Sequence, residues 1–337
     1  MKKIITLGEI LLRLSTDVGK RLSQADQLDL NYGGAEANVS VSLSNFGYDV
    51  YFVSKVPDNP LGLAAERHLK TNGVRTEFLL KGGERLGTYY VESGIGARSS
   101  QVTYDRKNSS FSQIMSEEIE FDNIFKDADL FHITGITPAL SPSLVELTLI
   151  ALQKAKENGV TTSFDFNYRS KLWSHQEAAE TMKLFLPYLD ICFCGELDAI
   201  YLLGIDKASN SLENKDRLTY YYETIRKNYP NIQYLSSTFR DVLSASTNTL
   251  QGNLFAEGVL YQSKTYQIDH IVDRVGGGDA FVAGMLYGIL ESTPFKEAVT
   301  FATAASVLKH TILGDCNTFS PEEIKIFANQ APGKIVR

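Results

Sequence analysis

The most informative stretch of the chain is Asp273-Arg274-Val275-Gly276-Gly277-Gly278-Asp279-Ala280-Phe281. A β-branched and polar run precedes it and a strongly apolar segment follows it, which is typical of a turn that leads into a buried helix. The first backbone N–H groups of a helix have no intrahelical partner and carry partial positive charge, so they favour a bound anion. Because glycine has no Cβ, a phosphate can approach that backbone closely. The stretch therefore indicates a phosphate site, with a glycine-rich loop that binds nothing as the structural alternative.

Asp279 is the unusual member of this stretch. A carboxylate repels a nearby phosphate, so an acid at this position needs a chemical reason. We predict that Asp279 takes the proton of a hydroxyl group that attacks the phosphate. A carboxylate near the start of a helix is expected to stay ionised at neutral pH, which suits a base that accepts its proton late. The alternative is that Asp279 only caps the helix.

Length and composition describe an ordinary globular protein. The chain has 337 residues, enough for one large α/β domain or for a domain with an insertion. Hydrophobic residues make up 43% and charged residues 22%, and the net charge of -7 argues against a nucleic-acid or anionic-membrane partner. No stretch has the apolar length expected of a signal peptide or a membrane span. The cysteines, Cys192, Cys194 and Cys316, offer no disulfide framework, so we expect a cytoplasmic protein.

Short apolar runs alternate with helical patterns along most of the chain. Strands are predicted at 3–9, 48–53, 129–134, 161–166 and 190–193. Helices are predicted at 36–46, 59–71, 142–158, 175–186, 196–203, 211–228, 280–291, 295–310 and 321–329. The alternation predicts a mostly parallel sheet covered by helices on both faces. Further strands at 232–236, 242–246, 253–256 and 265–268 are predicted to extend this sheet as an antiparallel edge.

The segment 87–104 breaks the alternation. Its strand patterns at 88–92 and 100–106 have no helix between them and are therefore predicted to pair antiparallel. Together with part of 11–30, they predict a small β-sheet that stands off the main domain as a lid. The predicted domains are an α/β core formed by 1–10, 33–86 and 107–337, and a lid formed by 11–32 and 87–106.

Polar residues in the first third of the chain suit a small polar ligand. Gly33-Gly34 allows a ligand to lie against bare backbone and Asn38 offers a hydrogen bond, although small residues that pack a helix on the sheet explain the pair as well. On the lid, Tyr104 and Arg106 are two residues apart and should share a face. With Tyr89 they predict a surface for an anionic ligand, or an aromatic cross-strand pair without one.

Residues that follow the strand ending near 165 are placed for binding, because α/β sheets bind ligands at the carboxyl ends of their strands. In Asp165-Phe166-Asn167-Tyr168-Arg169, the arginine offers a planar fork that matches a carboxylate or a phosphate. In Glu196-Leu197-Asp198, the acids are able to reach Mg²⁺ through water, or they simply favour the start of a helix.

In this order and at this separation, the two glycine motifs resemble those of the ribokinase-like (pfkB) family of sugar kinases. Val275 to Phe281 is similar to the G-A-G-D pattern of that family, with Gly277 in place of alanine, and Gly33-Gly34-x-x-x-Asn38 is similar to its first glycine motif. The chain looks most like the 2-keto-3-deoxygluconate kinases of this family. The points of similarity are Gly8-Glu9, Tyr89, Tyr104-x-Arg106, Asp165-x-Asn167-Tyr168-Arg169-x-x-Leu172-Trp173, Leu308-Lys309-His310 and Gly314-Asp315. The resemblance covers essentially the whole chain and implies a three-layer α/β/α sandwich with a mostly parallel central sheet and a β-sheet lid.

The resemblance also implies an activity: ATP-dependent phosphorylation of the terminal hydroxyl of 2-keto-3-deoxygluconate, with Mg²⁺ as cofactor and a monovalent cation left open. It implies Asp279 as the catalytic base, with Gly276, Gly277 and Gly278 holding the transferring group. Around the sugar acid it implies Gly33, Gly34, Asn38, Tyr89, Tyr104, Arg106, Arg169, Asp279 and Asp315, with Arg169 and its helper Arg106 on the carboxylate. Around ATP it implies Asn167, Thr238, Arg240, Gly276 and Gly278, with Asp198 at the metal.

Two departures from the family pattern affect the nucleotide side. The family's N-x-x-E motif would fall at Gly195-Glu196-Leu197-Asp198, where its asparagine is missing. The segment 236–249 lacks the common Lys-x-Gly pattern and reads Thr238-Phe239-Arg240-Asp241-Val242 instead. The expected partners are the sugar acid, ATP and a second copy of the chain that pairs through the lid sheet.

Other functions stay open at this point. A kinase of the same fold that acts on a neutral sugar such as fructose would not need Arg169, because its substrate has no carboxylate. A catalytically silent sugar-binding regulator would have little use for Asp279. A Rossmann dehydrogenase fits less well, because its glycine cluster would follow the first strand and would not end in an aspartate near the end of the chain.

Overall fold

The computed structural model describes residues 1–329, so the end of the predicted core range 107–337 lies outside the described residues. The strands, in chain order, are β1 (Lys3–Leu7), β2 (Leu11–Ser15), β3 (Asp29–Gly33), β4 (Asp49–Val56), β5 (Leu79–Lys81), β6 (Thr88–Glu92), β7 (Gln101–Asp105), β8 (Leu130–Thr134), β9 (Thr161–Asp165), β10 (Ile191–Phe193), β11 (Tyr234–Val242), β12 (Asn248–Ala256), β13 (Val259–Gln262) and β14 (Tyr266–Ile268). The α-helices are α1 (Ala35–Asn45), α2 (Pro60–Thr71), α3 (Phe121–Phe125), α4 (Pro142–Glu157), α5 (His175–Phe185), α6 (Glu196–Tyr201), α7 (Asn214–Asn228), α8 (Gly277–Leu290), α9 (Phe295–Lys309) and α10 (Pro321–Asn329).

The main sheet has the strand order β13-β12-β11-β10-β9-β8-β1-β4-β5, with β14 also paired to β12. All neighbours from β11 to β5 run parallel, and β12 pairs antiparallel with β11, β13 and β14. The predicted mostly parallel sheet with an antiparallel edge is confirmed. Because parallel strands all end at one edge of a sheet, the loops that follow β1, β8, β9 and β10 meet there.

One strand prediction at the antiparallel edge is wrong. The strand β11 continues to Val242, and residues 243–247 form the turn to β12, where a strand is predicted at 242–246. Residues 238–241 of β11 line a cavity, and of them Phe239 also packs against the core. A strand segment that faces a cavity shows no alternation of apolar and polar residues, so its extent cannot be inferred from that pattern.

Apolar residues pack on both faces of the main sheet. In β1, Ile4 lies in the core under α1, α8 and α9, whereas Ile5 lies in the core under α4, α5 and α7. Successive strand residues point to opposite faces, so an unbroken apolar run marks a strand that is covered on both sides. The three-layer α/β/α architecture is therefore confirmed. Among the helices of residues 1–329, not one combines the length and the apolar character that crossing a membrane requires.

A separate four-stranded sheet has the order β3-β2-β6-β7. Strands β6 and β7 pair antiparallel, as predicted, and β2 pairs parallel with β6. The register places Arg13 beside Tyr89 and Tyr89 beside Tyr104, so these three side chains share one face of the sheet. Tyr89 and Tyr104 on this face line a cavity of the main domain.

Candidate active site

Two adjoining cavities open at the edge where the parallel strands end. The larger cavity has a volume of about 1020 Å³ and extends along α6 and β11. The smaller cavity has a volume of about 610 Å³ and lies between the small sheet and the first turns of α1 and α8. Both cavities are lined by Asp165, Asn167, Arg169, Thr238, Arg240 and Gly278. Two compartments that join in this way suit two substrates whose reacting groups meet at the junction.

The glycine stretch forms one wall of this junction. Gly276 has a φ of 80°, a left-handed conformation that glycine adopts without strain, and α8 begins at the next residue, Gly277. The helix therefore starts three residues earlier than the predicted range 280–291, and the glycines form its first turn. Its first intrahelical bond joins the Ala280 amide to the Gly276 carbonyl at 2.9 Å, so the amides of Gly278 and Asp279 have no acceptor within the helix. Both amides are available as donors to an anion.

Gly278 differs from the other motif glycines in the space around it. A Cβ at Gly278 would project into open space, and this residue lines both cavities. At the others, a Cβ would overlap protein atoms: the Asp315 carboxylate at Gly33, the Glu9 carbonyl at Gly34, the Asp315 carbonyl at Gly276 and the His310 ring at Gly277. Gly33 and Gly34 therefore fit the packing alternative, in which small residues admit neighbouring segments. Gly278 is where a ligand can approach bare backbone.

A methyl group at Gly278 should block that approach. We expect Gly278→Ala to lower kcat about 100-fold, the usual effect of losing one donor to a developing oxyanion. We expect the thermal midpoint to stay at or above that of the wild type, because alanine stabilises a helix by roughly 1 kcal/mol relative to glycine. Gly277→Ala is the matched variant: its methyl group would press on the buried His310 ring and should lower the midpoint. A Gly278→Ala enzyme with wild-type kcat would contradict the assignment.

Asp279 lines the smaller cavity next to Gly278, where the two cavities join, and accepts a hydrogen bond from Asn38 Nδ2 at 2.7 Å. Burial raises the pKa of the Asp279 carboxyl to about 7, although the Asn38 hydrogen bond and the Arg169 charge act in the opposite direction. The expectation that this group stays fully ionised at neutral pH is therefore not met, because burial outweighs the Asn38 hydrogen bond and the Arg169 charge. A carboxyl with a pKa near neutral pH is well matched to general-base catalysis.

Two more acids face the cavities from the neighbouring strand ends. Burial, and then the charge of Asp279, raise the pKa of Asp165 to about 8. Burial also raises the pKa of Asp198, whose Oδ2 accepts the Gly195 amide at 2.8 Å. Both carboxyl groups line the larger cavity. A cation placed near them would stabilise their ionised forms.

The residues expected around the sugar acid are largely bonded to one another. Arg106 donates from Nε to Glu9 Oε2 at 2.8 Å and also from Nη2 to the same oxygen. The Tyr89 hydroxyl donates to Asp315, and Tyr104 is 45% exposed with the Arg106 guanidinium 5.7 Å from its ring centre. All five line the smaller cavity. Glu9 thus neutralises Arg106, and the expected help of Arg106 to Arg169 on the sugar-acid carboxylate stays a prediction.

A buried ion-pair cluster beneath the glycine turn was not foreseen from the sequence. Arg13 of β2 bonds Asp273 at 2.7 Å and Asp315 at 2.5 Å, and all three side chains are buried. Asp273 also accepts the Val275 amide at 3.0 Å, so the cluster ties the small sheet to the glycine turn. One sign of this cluster is present in the sequence. In Leu11-Leu12-Arg13-Leu14-Ser15, the alternation of the strand places the charged Arg13 side chain on the inward face. Its acid partners lie far along the chain, 302 residues away for Asp315.

Arg169 and Asn167 follow β9 at the junction. Arg169 is exposed and donates to the Tyr168 carbonyl at 3.3 Å, and it forms no ion pair with a carboxylate of the described residues. Asn167 has a φ of 40°, a left-handed conformation that is costly for most residues and is often found at functional sites. Thr238 and Arg240 face them from β11. The structure therefore brings the predicted nucleotide-side and sugar-side residues to a common point.

The chain is similar to known proteins over nearly its whole length. The model for the pfkB family carbohydrate kinases matches residues 1–322. The 2-dehydro-3-deoxygalactonokinase of Haloferax volcanii is 33% identical over 324 residues, which are 96% of this chain and 95% of that protein. The 2-dehydro-3-deoxygluconokinase of Bacillus subtilis is 28% identical over 321 residues, which are 95% of this chain and 93% of that protein. The crystal structure of 2-dehydro-3-deoxygluconokinase from Thermotoga maritima superposes with a TM-score of 0.94 at 42% identity and covers 98% of each chain.

Proposed function

The chain belongs to the pfkB family of carbohydrate kinases, and we propose that it transfers the γ-phosphoryl group of ATP to the terminal hydroxyl of a 2-keto-3-deoxy sugar acid. The observation that carries the proposal is the meeting, at the junction of two cavities, of the Asp279 carboxyl and the open amide turn at Gly278. The names of the relatives support the substrate class, because the 2-keto and 2-dehydro forms of the name describe the same compounds.

In the proposed reaction, ATP lies in the larger cavity and the sugar acid in the smaller one. The hydroxyl oxygen forms a bond to the γ-phosphorus, the bond from that phosphorus to the β–γ bridging oxygen breaks, and ADP leaves. The amides of Gly278 and Asp279 stabilise the charge on the group in transfer. The Asp279 carboxylate, held by Asn38, orients the hydroxyl and accepts its proton.

Arg169 is the proposed partner of the sugar-acid carboxylate. It reaches the junction from the end of β9, and a guanidinium binds a carboxylate through two parallel hydrogen bonds. Arg106 is paired with Glu9, and we propose that it helps Arg169 on the carboxylate as the lesser of the two partners. Asn38, Tyr89 and Tyr104 are proposed to contact the rest of the sugar acid.

The residues of the larger cavity fit Mg²⁺. Asp165 and Asp198 both line this cavity and supply carboxylate oxygens, which are the ligands that Mg²⁺ prefers. Mg²⁺ usually keeps several water molecules and binds through one or two carboxylates together with the phosphates of its substrate. We propose that these two acids hold the ion, whose charge would neutralise the phosphates of ATP.

A buried ammonium group supplies positive charge beneath the glycine turn. Lys309 is fully buried and donates to the Ile312 carbonyl at 3.4 Å. Burial lowers the pKa of Lys309, and the charges of Asp273 and Asp315 act against that fall. Lys309 thus lies near Asp273 and Asp315, and the monovalent cation that the resemblance leaves open stays a prediction.

A coupled assay of ADP release tests the proposal on 2-keto-3-deoxygluconate, 2-keto-3-deoxygalactonate, fructose and ribose. We expect one of the two sugar acids to give the highest kcat/KM. The assay also decides between the epimers, for which the Haloferax and Bacillus relatives are named. Fructose or ribose as the best substrate would favour a neutral-sugar kinase, and tight binding without ADP release would favour a silent regulator.

We further propose that the small sheet closes over the smaller cavity as a lid and that its outer face pairs two copies of the chain. Closure would exclude water from the phosphoryl group and so suppress hydrolysis of ATP. The outer face carries the aligned residues Leu30, Leu14 and Tyr90, and Leu30 is 55% exposed. Sedimentation velocity tests the pairing: a Leu30→Glu variant should sediment as a monomer, and a monomeric wild type would rule the dimer out.

A further inference from the structure

Three arginines that line the smaller cavity have no acid partner. They are Arg169, Arg240 and Arg274, and within residues 1–329 none of them forms an ion pair with a carboxylate. The other arginines nearby are neutralised, Arg13 by Asp273 and Asp315, and Arg106 by Glu9. Unpaired cations that share a cavity repel one another, so this arrangement favours a bound anion.

The repulsion is visible at Arg240. Removal from water, and then the charges of Arg274 and Arg169, lower the pKa of the Arg240 guanidinium. The proposed reaction brings two anionic groups to this cavity, the carboxylate of the sugar acid and the phosphoryl group. With Arg169 on the carboxylate, as proposed above, the other two guanidinium groups remain for the phosphoryl group.

Of these two arginines, Arg274 has a side chain that is held in a fixed orientation beside the glycine turn. Its Nη2 donates to the carbonyls of Ala245 at 2.8 Å and Ser244 at 3.2 Å, so the turn between β11 and β12 holds the side chain in place. Its Nε is buried and has no hydrogen-bond partner among the described residues. A buried donor without an acceptor is costly, and an anion at this position would satisfy it. Arg274 also lies two residues before Gly276 and lines the cavity with Gly278 and Asp279.

We propose that Arg274 binds the phosphoryl group while it is being transferred, with Arg240 as its neighbour, an assignment that rests on the proposed kinase function. As the sugar hydroxyl oxygen bonds to the γ-phosphorus and the bridging oxygen leaves with ADP, Asp279 takes the hydroxyl proton. Negative charge then lies on the three equatorial oxygens and on the leaving oxygen. Arg274 stabilises this charge from the side of the turn between β11 and β12. Its role is therefore distinct from that of Arg169, which acts on the carboxylate.

The test compares Arg274→Met and Arg274→Lys with the wild type in the full chain, using the best substrate of the four-sugar assay. We expect Arg274→Met to lower kcat about 100-fold, since a cation on the transferring group is worth at least that much. The KM for the sugar should stay within about three-fold, because the arginine acts in the transition state rather than on the bound sugar. Arg274→Lys should recover part of the lost kcat.

A binding measurement separates this role from a structural one. Calorimetry gives the affinity for ADP alone and for ADP with Mg²⁺ and aluminium fluoride, which mimics the phosphoryl group in transfer. We expect Arg274→Met to bind ADP like the wild type and to bind the aluminium fluoride complex about ten-fold more weakly or worse. Arg67→Met, which removes an exposed arginine of α2 that lines neither cavity, should change neither affinity.

Either of two results would overturn the proposal. One is an Arg274→Met enzyme whose kcat equals that of the wild type. The other is an equal loss of affinity for ADP alone and for its aluminium fluoride complex. That result would show that Arg274 only stabilises the turn between β11 and β12. If the wild type phosphorylates none of the four sugars, the proposed function fails by itself, while the aluminium fluoride comparison still decides whether Arg274 binds a transferring phosphoryl group.

Discussion

Asp279→Asn is expected to abolish phosphoryl transfer and to leave the fold intact. Asparagine has nearly the size of aspartate, and its amide oxygen can still accept the hydrogen bond that Asn38 now donates at 2.7 Å. An amide cannot take the proton of the attacking hydroxyl, so the contribution of general-base catalysis is lost. We expect kcat to fall by about 10³-fold or more, measured by ADP release at saturating ATP and sugar acid.

The raised pKa of Asp279 also predicts a pH dependence of the wild-type enzyme. Since the pKa of this carboxyl is about 7, the base is increasingly protonated below neutral pH. We expect kcat/KM for the sugar acid to fall about ten-fold for each pH unit well below that value. A base that stayed ionised down to its ordinary pKa of 3.8 would instead give a flat profile from pH 5 to pH 8.

The raised pKa of Asp279 also predicts that the Asp279→Asn variant is more stable than the wild type above neutral pH. A carboxyl whose pKa is raised by folding contributes its full stability below the pKa of the unfolded chain and loses it as the pH rises through the folded value. For Asp279 that window runs from 3.8 to about 7. Asparagine does not titrate, so the free energy of unfolding of Asp279→Asn should exceed that of the wild type by at most about 4 kcal/mol at pH 8, with little difference at pH 4.

Asp269→Asn serves as the control for both effects, because its carboxylate is exposed and bonds only to Gln267 among the described residues. It should change neither kcat nor the free energy of unfolding measurably. A fully active Asp279→Asn enzyme would overturn the mechanism. A variant that is less stable than the wild type at pH 8 would show instead that the carboxylate is well solvated or well paired in the folded protein.

The parts of the fold that depend on local pattern could be predicted from the sequence. A strand buried on both faces, such as β1, is an apolar run, and helices such as α4 begin and end at residues with clear capping preferences. The pattern fails where a segment faces a cavity, as in residues 238–241 of β11. It also fails at Gly277, because glycine is a poor helix former and a propensity argument starts the helix later than it begins.

The chemistry of the site depends on distances that no local pattern contains. The residue type of Asp279 and its place at a helix start were evident, but its pKa is set by burial among segments that are far apart in the chain. Likewise, the sequence alone indicates a free cation at Arg106. In the fold, Arg106 contacts Glu9, which is 97 residues away along the chain. The sequence shows which groups carry charge; the assembled fold determines which charges are neutralised and which remain for ligands.

Arg169→Ala is expected to lower kcat/KM for the sugar acid about 100-fold, the effect of removing hydrogen bonds to a charged group. Arg169 stands at the junction without an acid partner in the described part of the chain, so its guanidinium is available to a carboxylate. The methyl ester of the same sugar acid has no such charge, and the variant should process it about as well as the wild type does. The measured quantity is the preference for acid over ester, which should largely disappear. Arg169→Lys should keep part of it, because lysine retains the charge but loses the planar fork.

Lys183→Met is the matched control, since it removes an exposed positive charge of α5 that lines neither cavity. The ester comparison also separates Arg169 from Arg274. A residue that holds the carboxylate affects the acid and spares the ester, whereas a residue that holds the phosphoryl group slows both substrates alike. If Arg169→Ala slowed the ester as much as the acid, Arg169 would belong with the phosphoryl group. Carboxylate recognition would then pass to Arg240 or Arg274, and the proposed division of the three unpaired arginines would have to be reversed.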